Sequence, residues 1–310
     1  MERILDHLLT RPARVEPISD LDQWWVSHRA AAADFEVPVD RAMAGAAACD
    51  RLGYAFASGY REALRALIPE VAGGKLAFCA TEEGGNSPRA IQSRLDVDGD
   101  GWRLTGSKQW STMGRAADEL LVFASVGQDP QGRNRLALVR VPASREGVSI
   151  SAGHDTPFVP EIPHASLRFD SVRVESGERL EGDGYDRYLK PFRTVEDCHV
   201  HAALLAYVLR VARGADWPTA ALERLTTRIV SARGLAMADP TSAAVHIALG
   251  GLIADTAQLL DELDEHWSRV DEPTRTRWRR DKALLGVAGT ARSRRLEVAW
   301  NWLAADPQGT

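Results

Sequence analysis

The residues best equipped for chemistry fall in two short stretches. In the first, Phe78-Cys79-Ala80-Thr81-Glu82-Glu83-Gly84-Gly85-Asn86-Ser87, an apolar run from Leu76 to Ala80 ends in a threonine, an acidic pair and a glycine-rich turn. In the second, Leu104-Thr105-Gly106-Ser107-Lys108-Gln109-Trp110-Ser111-Thr112, the segment Trp102-Arg103-Leu104 leads into a Thr-Gly turn and then another extended segment. Each stretch delivers a hydroxyl near a strand end, and the second sets the flat face of Trp110 beside it. Hydroxyls can donate to or accept from a ring edge, and an indole can cover a ring face. The pair therefore suits a planar, hydrogen-bonding ligand. The same residues also serve ordinary hairpins, with Thr81 bonded to local backbone and Phe78 packed in a core.

Other clusters point to packing. Trp24 and Trp25 offer ring faces, but their spacing with Leu21 and His28 is that of a helix core. His199 and His201 form a His-x-His pair with no evident third ligand, and residues two apart on a helix do not share a face; no metal is expected. Arg275, Arg277, Arg279 and Arg280 read as a solvated helix face.

Three kinds of pattern must position these residues. From Met1 to about Val71 the spacing is helical, with Asp20 placed to cap one helix and further helices expected at Arg41–Leu52 and Phe56–Leu67. Pro69 and Gly73-Gly74 close the segment. From Gly73 to Arg173 short runs alternate with turn clusters such as Asp98-Gly99-Asp100-Gly101. Strands are expected at Leu76–Ala80, Ser93–Val97, Gly101–Leu104, Leu120–Val126, Arg135–Arg140 and Ala165–Val172, as a small antiparallel barrel or sandwich. From about Gly182 the pattern is helical again: Glu196–Arg213, Thr219–Arg233 after Pro218, about Ser242–Val270, and Arg275–Leu303. Four amphipathic segments with short joints predict an antiparallel bundle. The chain thus reads as α+β and multi-domain, with an N-terminal helical domain (1–72), a middle β domain (73–180) and a C-terminal helical bundle (181–310).

Composition sets the class. The chain has 310 residues, 45% of them hydrophobic and 26% charged, which is ordinary for a globular protein with a real core. A net charge of -5 lacks the basic footprint of a nucleic-acid binder. Cys49, Cys79 and Cys198 are too few and too scattered for a disulfide frame. No signal peptide and no run of about twenty apolar residues is apparent, so a cytoplasmic protein that spans no membrane is expected.

The first stretch resembles the Thr-Glu-Pro-x-x-Gly-Ser motif of the acyl-CoA dehydrogenase family, and the second its Asn-Gly-x-Lys-x-Trp-Ile-Thr motif. The resemblance runs with gaps from roughly Asp50 to Leu303, and the helix–strand–helix order is that of the family. It implies FAD as cofactor, with Thr81, Trp110 and Thr112 beside the flavin ring. It also implies Phe78 lining the flavin and acyl pocket, and Ser87 near the pantetheine of an acyl thioester. Glu83 stands where the family has Pro, and Asn86 where it usually has Gly, which implies a less rigid turn. The family's Gly-Met-Arg-x-Ser segment is replaced here by Pro157-Phe158-Val159-Pro160-Glu161-Ile162-Pro163, a stiff loop.

In that family a flavin accepts a hydride from the β carbon, a carboxylate removes the α proton, and hydrogen bonds polarise the thioester carbonyl. Most members place the base on a late loop after a Gly-Gly-x-Gly segment, and neither has a counterpart before Thr310. A minority carries it on the helix after the β domain, where this chain has Val195-Glu196-Asp197. Glu196 is therefore the candidate base: a carboxylate in an apolar, partly closed site has a raised pKa suited to proton abstraction near neutral pH, and Asp197 adds a like charge. Its other reading is a residue at a helix start. The resemblance implies an oxidoreductase acting on the CH–CH of an acyl thioester, assembled as a homo- or hetero-oligomer through its C-terminal bundle. Two alternatives stay open: a non-catalytic or half-site subunit completing a flavin site with a partner chain, and a flavin oxidase or monooxygenase on the same fold.

Overall fold

The computed structural model describes residues 1–71, 73–153 and 155–305. In chain order it is helices, a curled seven-stranded sheet, then helices. By its contacts the chain forms two units. One joins Met1–Ala66, Pro157–Glu161 and the helices from Arg193 on; the other holds Leu67–Thr156 and Ile162–Phe192.

The sheet unit is built from β1 (Leu76–Cys79), β2 (Arg94–Asp98), β3 (Gly101–Thr112), β4 (Glu119–Gln128), β5 (Asn134–Pro142), β6 (Val148–Ala152) and β7 (His164–Val174). The strand order is β1-β4-β2-β3-β7-β6, with β5 along β4. Most pairs are antiparallel as expected, but β1 and β4 run parallel, and β2 meets β4 in a parallel bridge at Arg94 and Ser125. β1 and β4 are also the strands whose apolar runs are continuous, Leu76–Cys79 and Leu120–Ala124, and both are buried throughout. Burial on both faces is what such runs favour. The core adds Leu95, Leu104, Val139, Val141, Leu167, Phe169 and Val172.

Two sequence expectations are corrected here. Thr105-Gly106 is not a turn. β3 runs through it for twelve residues, and Gly106 (φ 148°) sits in a register shift against β7. A side chain there would meet the Ser93 Cα at 2.6 Å, so only glycine lets β3 pass. β6 was not anticipated; its Val-Ser-Ile-Ser-Ala sequence is short and mostly exposed and carries little strand signal.

The helical unit contains α1 (Glu2–Thr10), α2 (Leu21–Ala32), α3 (Pro38–Ala47), α4 (Leu52–Leu67), α5 (Lys190–Gly214, its body from Arg193), α6 (Thr219–Ala236), α7 (Ala243–Glu262), α8 (Glu272–Asp281) and α9 (Gly289–Ala305). Asp20 caps α2 by accepting from the Asp22 and Gln23 amides. α3 starts earlier than expected because Pro38 supplies its first turn. The expected last helix is two: residues 282–286 tighten to a 3-10 turn and Ala288 takes a left-handed φ of 65° before α9. α7 is long and apolar enough to cross a membrane by length and composition, and 33% of that window is buried. His246 and Asp255 interrupt the run singly, which hid this in the sequence.

Small residues set the helix spacing. A Cβ on Gly59 would lie 2.7 Å from the Val200 Cα of α5, and one on Gly45 would strike the His28 ring. Around them Trp24 and His28 bond the Ser58 hydroxyl, while His28 and Arg41 hold Glu62 at 3.0 Å each. Trp24 is thus a core residue, as its spacing predicted.

Candidate functional site

The two stretches singled out in the sequence meet within the sheet unit. The Gln109 amide donates to the Thr81 carbonyl at 2.8 Å. Between the residue after Thr81 and the residue before Gln109, Lys108 Nζ lies 2.6 Å from Glu82 Oε1. This ion pair is inside the protein, with Lys108 0% and Glu82 8% exposed. Glu82 is fully engaged: it also accepts from the Gln92 amide (2.7 Å), the Ser93 amide (3.1 Å) and the Ser93 hydroxyl (2.8 Å). Burial works against the Glu82 carboxylate, but Lys108 and these donors hold its pKa below the ordinary value. Burial lowers the Lys108 pKa, and Glu82 opposes that shift. A buried charge persists only when paired and hydrogen-bonded, so the pair fixes the two stretches relative to one another.

The turn after Thr81 closes between Glu82 and Gly85 by two reciprocal backbone hydrogen bonds of 2.9 Å, with Gly85 at φ 103°. Glu83 therefore sustains the turn without the stiffness of a proline. Ser87 follows, exposed, at the start of a short 3-10 turn.

On β3 a second register shift falls between Lys108 and Ser111, and Trp110 within it has a φ of 55°. A bulky residue at positive φ is strained and persists only where its surroundings hold it. Here the shift directs Trp110 out of the core: the indole is 45% exposed and meets the His164 ring edge-on at 6.2 Å. His164 opposes Thr112 across the β3–β7 ladder, and burial lowers its pKa. Thr81 and Thr112 are half-buried. Among the described residues neither hydroxyl has a hydrogen-bond partner. Phe78 is buried, stacked on Phe192 (3.8 Å between centroids) and edge-on to Phe123 (4.8 Å). An exposed indole and two hydroxyls without partners among the described residues, carried on adjoining segments, are chemically able to serve a planar heteroaromatic ring. His164 and the Glu82–Lys108 pair escaped the sequence reading: the histidine is brought in by β7, and a lysine in a strand reads as exposed.

Glu196 belongs to the helical unit. α5 begins at Lys190, so Glu196 lies well inside it and does not cap its start. Its side chain is 12% exposed and accepts from Arg193 Nη1 at 2.7 Å, one turn earlier. Burial raises its pKa; Arg193 opposes this and Asp197 adds to it. Asp197 is held ionised by Arg292 (2.8 Å) and Arg295 (2.9 Å) of α9, which overcome its own burial. His199 and His201 each bond a main-chain carbonyl one turn earlier, of Val195 and Asp197.

Comparison with known proteins bears on the sheet unit most directly. Residues 77–172 match the family model for the middle domain of acyl-CoA dehydrogenases. A probable acyl-CoA dehydrogenase of Mycobacterium leprae is 27% identical over 160 residues, 51% of this chain and 40% of that protein. The 3-sulfinopropanoyl-CoA desulfinase of Paraburkholderia xenovorans is 29% identical over 115 residues, 37% of this chain and 29% of that protein. These matches thus span well under half the length of the curated relatives. Butyryl-CoA dehydrogenase from Megasphaera elsdenii superposes with a TM-score of 0.66 over 93% of this chain and 91% of that one, at 17% identity, a likeness of fold. Residues 77–172 thus form a middle domain of the acyl-CoA dehydrogenase family, and the chain as a whole shares the fold of butyryl-CoA dehydrogenase.

Proposed function

We propose that the chain is a flavoprotein oxidoreductase of the acyl-CoA dehydrogenase type, which binds FAD on its sheet unit and acts on the CH–CH bond of an acyl thioester. The observation that supports this is Trp110, exposed and held at positive φ on the same strand as Thr112 and next to Gln109, whose amide bonds Thr81; neither threonine hydroxyl has a hydrogen-bond partner among the described residues. These residues fit a flavin ring: Trp110 would cover a ring face, and the two threonine hydroxyls would bond ring-edge atoms. When bound, FAD supplies the two-electron acceptor. Phe78 lends an apolar wall, and Ser87 a hydroxyl for the pantetheine arm.

Glu196 is the base in this reading. Desolvation makes its carboxylate more basic, which suits removal of the proton α to a thioester carbonyl. Arg193 must swing aside or share the carboxylate for that proton to be taken. The protein works as an oligomer through its C-terminal helices, whose α9 leaves Val298, Trp300 and Trp302 more than half exposed.

The test is anaerobic mixing of the FAD-loaded chain with a series of acyl-CoA thioesters, followed by loss of flavin absorbance. Wild type should bleach, and Glu196→Gln should bleach about 10²–10⁴-fold more slowly with acyl-CoA binding kept. A second reading, a half-site subunit, draws on the Arg193–Glu196 pair, which holds the base engaged. It predicts that no acyl-CoA bleaches the isolated chain and that activity appears only with a partner chain. Equal bleaching by wild type and Glu196→Gln would refute the assignment of the base.

A further inference from the structure

The helical unit contains a cavity of about 730 Å³ lined by none of the residues discussed above as flavin- or substrate-binding. It opens between the segment Ala13–Pro17, the C-terminal turn of α5, and the approach to α8. Four guanidinium groups line it, those of Arg14, Arg210, Arg269 and Arg277. In a chain with a net charge of -5 this is a local reversal of sign.

The two carboxylates in the same wall are already committed. Asp50 is bonded by Arg51 at 2.8 and 3.0 Å and by Arg277 at 3.3 Å. Asp271 caps α8 by accepting from the Thr274 amide. The arginines are less well satisfied. Arg210 donates through its Nη atoms to the Ala13 and Cys49 carbonyls, but its buried Nε has no acceptor among the described residues. Burial alone works against its charge, lowering its pKa. Arg14 is exposed and has no hydrogen-bond or ion-pair partner among the described residues. A second cavity of about 460 Å³ shares Arg14, Val15 and Arg210 with the first and adds Arg11 and Arg213, so the basic surface continues beyond Arg14.

Guanidinium forks recognise carboxylate and phosphate oxygens in pairs. A cavity of this size takes a small organic molecule rather than a single ion, and Val15, Val211 and Val270 give it an apolar floor. We propose that this cavity is a binding site for a small organic polyanion, one bearing two or more phosphate or carboxylate groups on a compact skeleton. Arg14 and Arg277 clamp its anionic groups, with Arg210 and Arg269 adding positive charge to the wall.

The probes are inorganic pyrophosphate and citrate, titrated calorimetrically into the full chain at low ionic strength. At least one should bind saturably with a Kd below about 1 mM, and Arg14→Ala and Arg277→Ala should each weaken it about tenfold or more. Raising the salt to about 0.5 M should weaken it further, since the site is only partly enclosed. Preference for pyrophosphate identifies phosphate as the recognised group, and preference for citrate identifies carboxylate. Arg14 is exposed and has no partner among the described residues, so its variant tests the site without disturbing the fold, and neither arginine belongs to the flavin segments. No saturable binding of either probe, or the same Kd in wild type and Arg14→Ala, overturns the proposal and leaves the flavin reading untouched.

Discussion

Removing Lys108 tests whether the buried ion pair holds the site together. In Lys108→Met the Glu82 carboxylate keeps three donors, from the Gln92 amide, the Ser93 amide and the Ser93 hydroxyl, and loses only the ammonium. The cost should fall at the low end of the range for breaking a buried pair, about 3 kcal/mol. In Glu82→Leu the ammonium is 0% exposed with no counter-charge, and two amides and a hydroxyl lose their acceptor. That variant should cost about 5 kcal/mol. The double variant removes both charges and strands only the two amides and the hydroxyl, so it should cost less than Glu82→Leu alone, a coupling of somewhat over about 3 kcal/mol between the pair. Two measurements follow this: urea unfolding of the three variants, and hydrogen exchange at the Gln109 amide, whose bond to Thr81 depends on the same clasp. A local loss of about 3 kcal/mol raises that exchange rate by somewhat over 100-fold. If Lys108→Met costs less than about 1 kcal/mol, as an exposed pair would, and Gln109 exchange is unchanged, the pair does not position the site.

Three further outcomes are expected. Gly106→Val should cost about 2–3 kcal/mol or more, because its Cβ would lie 2.6 Å from the Ser93 Cα at a φ of 148°; urea unfolding checks this, and a neutral result would mean that the strand slips to accommodate it. Burial pushes His199 from 6.5 down to about 4. The unfolded chain therefore takes up its proton first as pH falls, and about 3 kcal/mol of stability present above pH 6.5 is lost between there and pH 4. Unfolding measured at pH 7.5 and pH 4.5 should show a smaller drop in His199→Gln than in wild type. Thr81→Val and Thr112→Val should each weaken FAD binding while leaving the fold unchanged by circular dichroism, since neither hydroxyl bonds a described residue.

The sequence reached the sheet site where its signal was local. Thr81 and the Glu82–Gly85 turn sit in one stretch, and Lys108 to Thr112 in another, so each could be read as a short strand with its turn. What joins them was not legible. A lysine and a glutamate 26 residues apart leave no periodic trace, and strand alternation gives a charged residue to solvent. Gly106 read as a turn because Thr-Gly usually breaks a strand, whereas here the missing Cβ admits Ser93. α5 was placed six residues short because Lys190–Thr194 carries a proline and mixed polarity; its true start is what moves Glu196 from a helix start to the helix interior. The break between α8 and α9 depends on Ala288 at positive φ, a conformation that its residue type does not advertise.

The central claim is that Thr81, Trp110 and Thr112 hold a flavin. Calorimetric titration of FAD into the purified full chain, wild type against Trp110→Ala, tests it most directly. The account predicts one saturable site in wild type, weak because it rests on the sheet unit's contacts, and at least about tenfold weaker binding without the indole, from the loss of one aromatic stacking contact of about 1 kcal/mol and the hold on the ring that goes with it. FAD binding of equal strength in the two proteins, or no binding by wild type alone or with a partner chain, would contradict it.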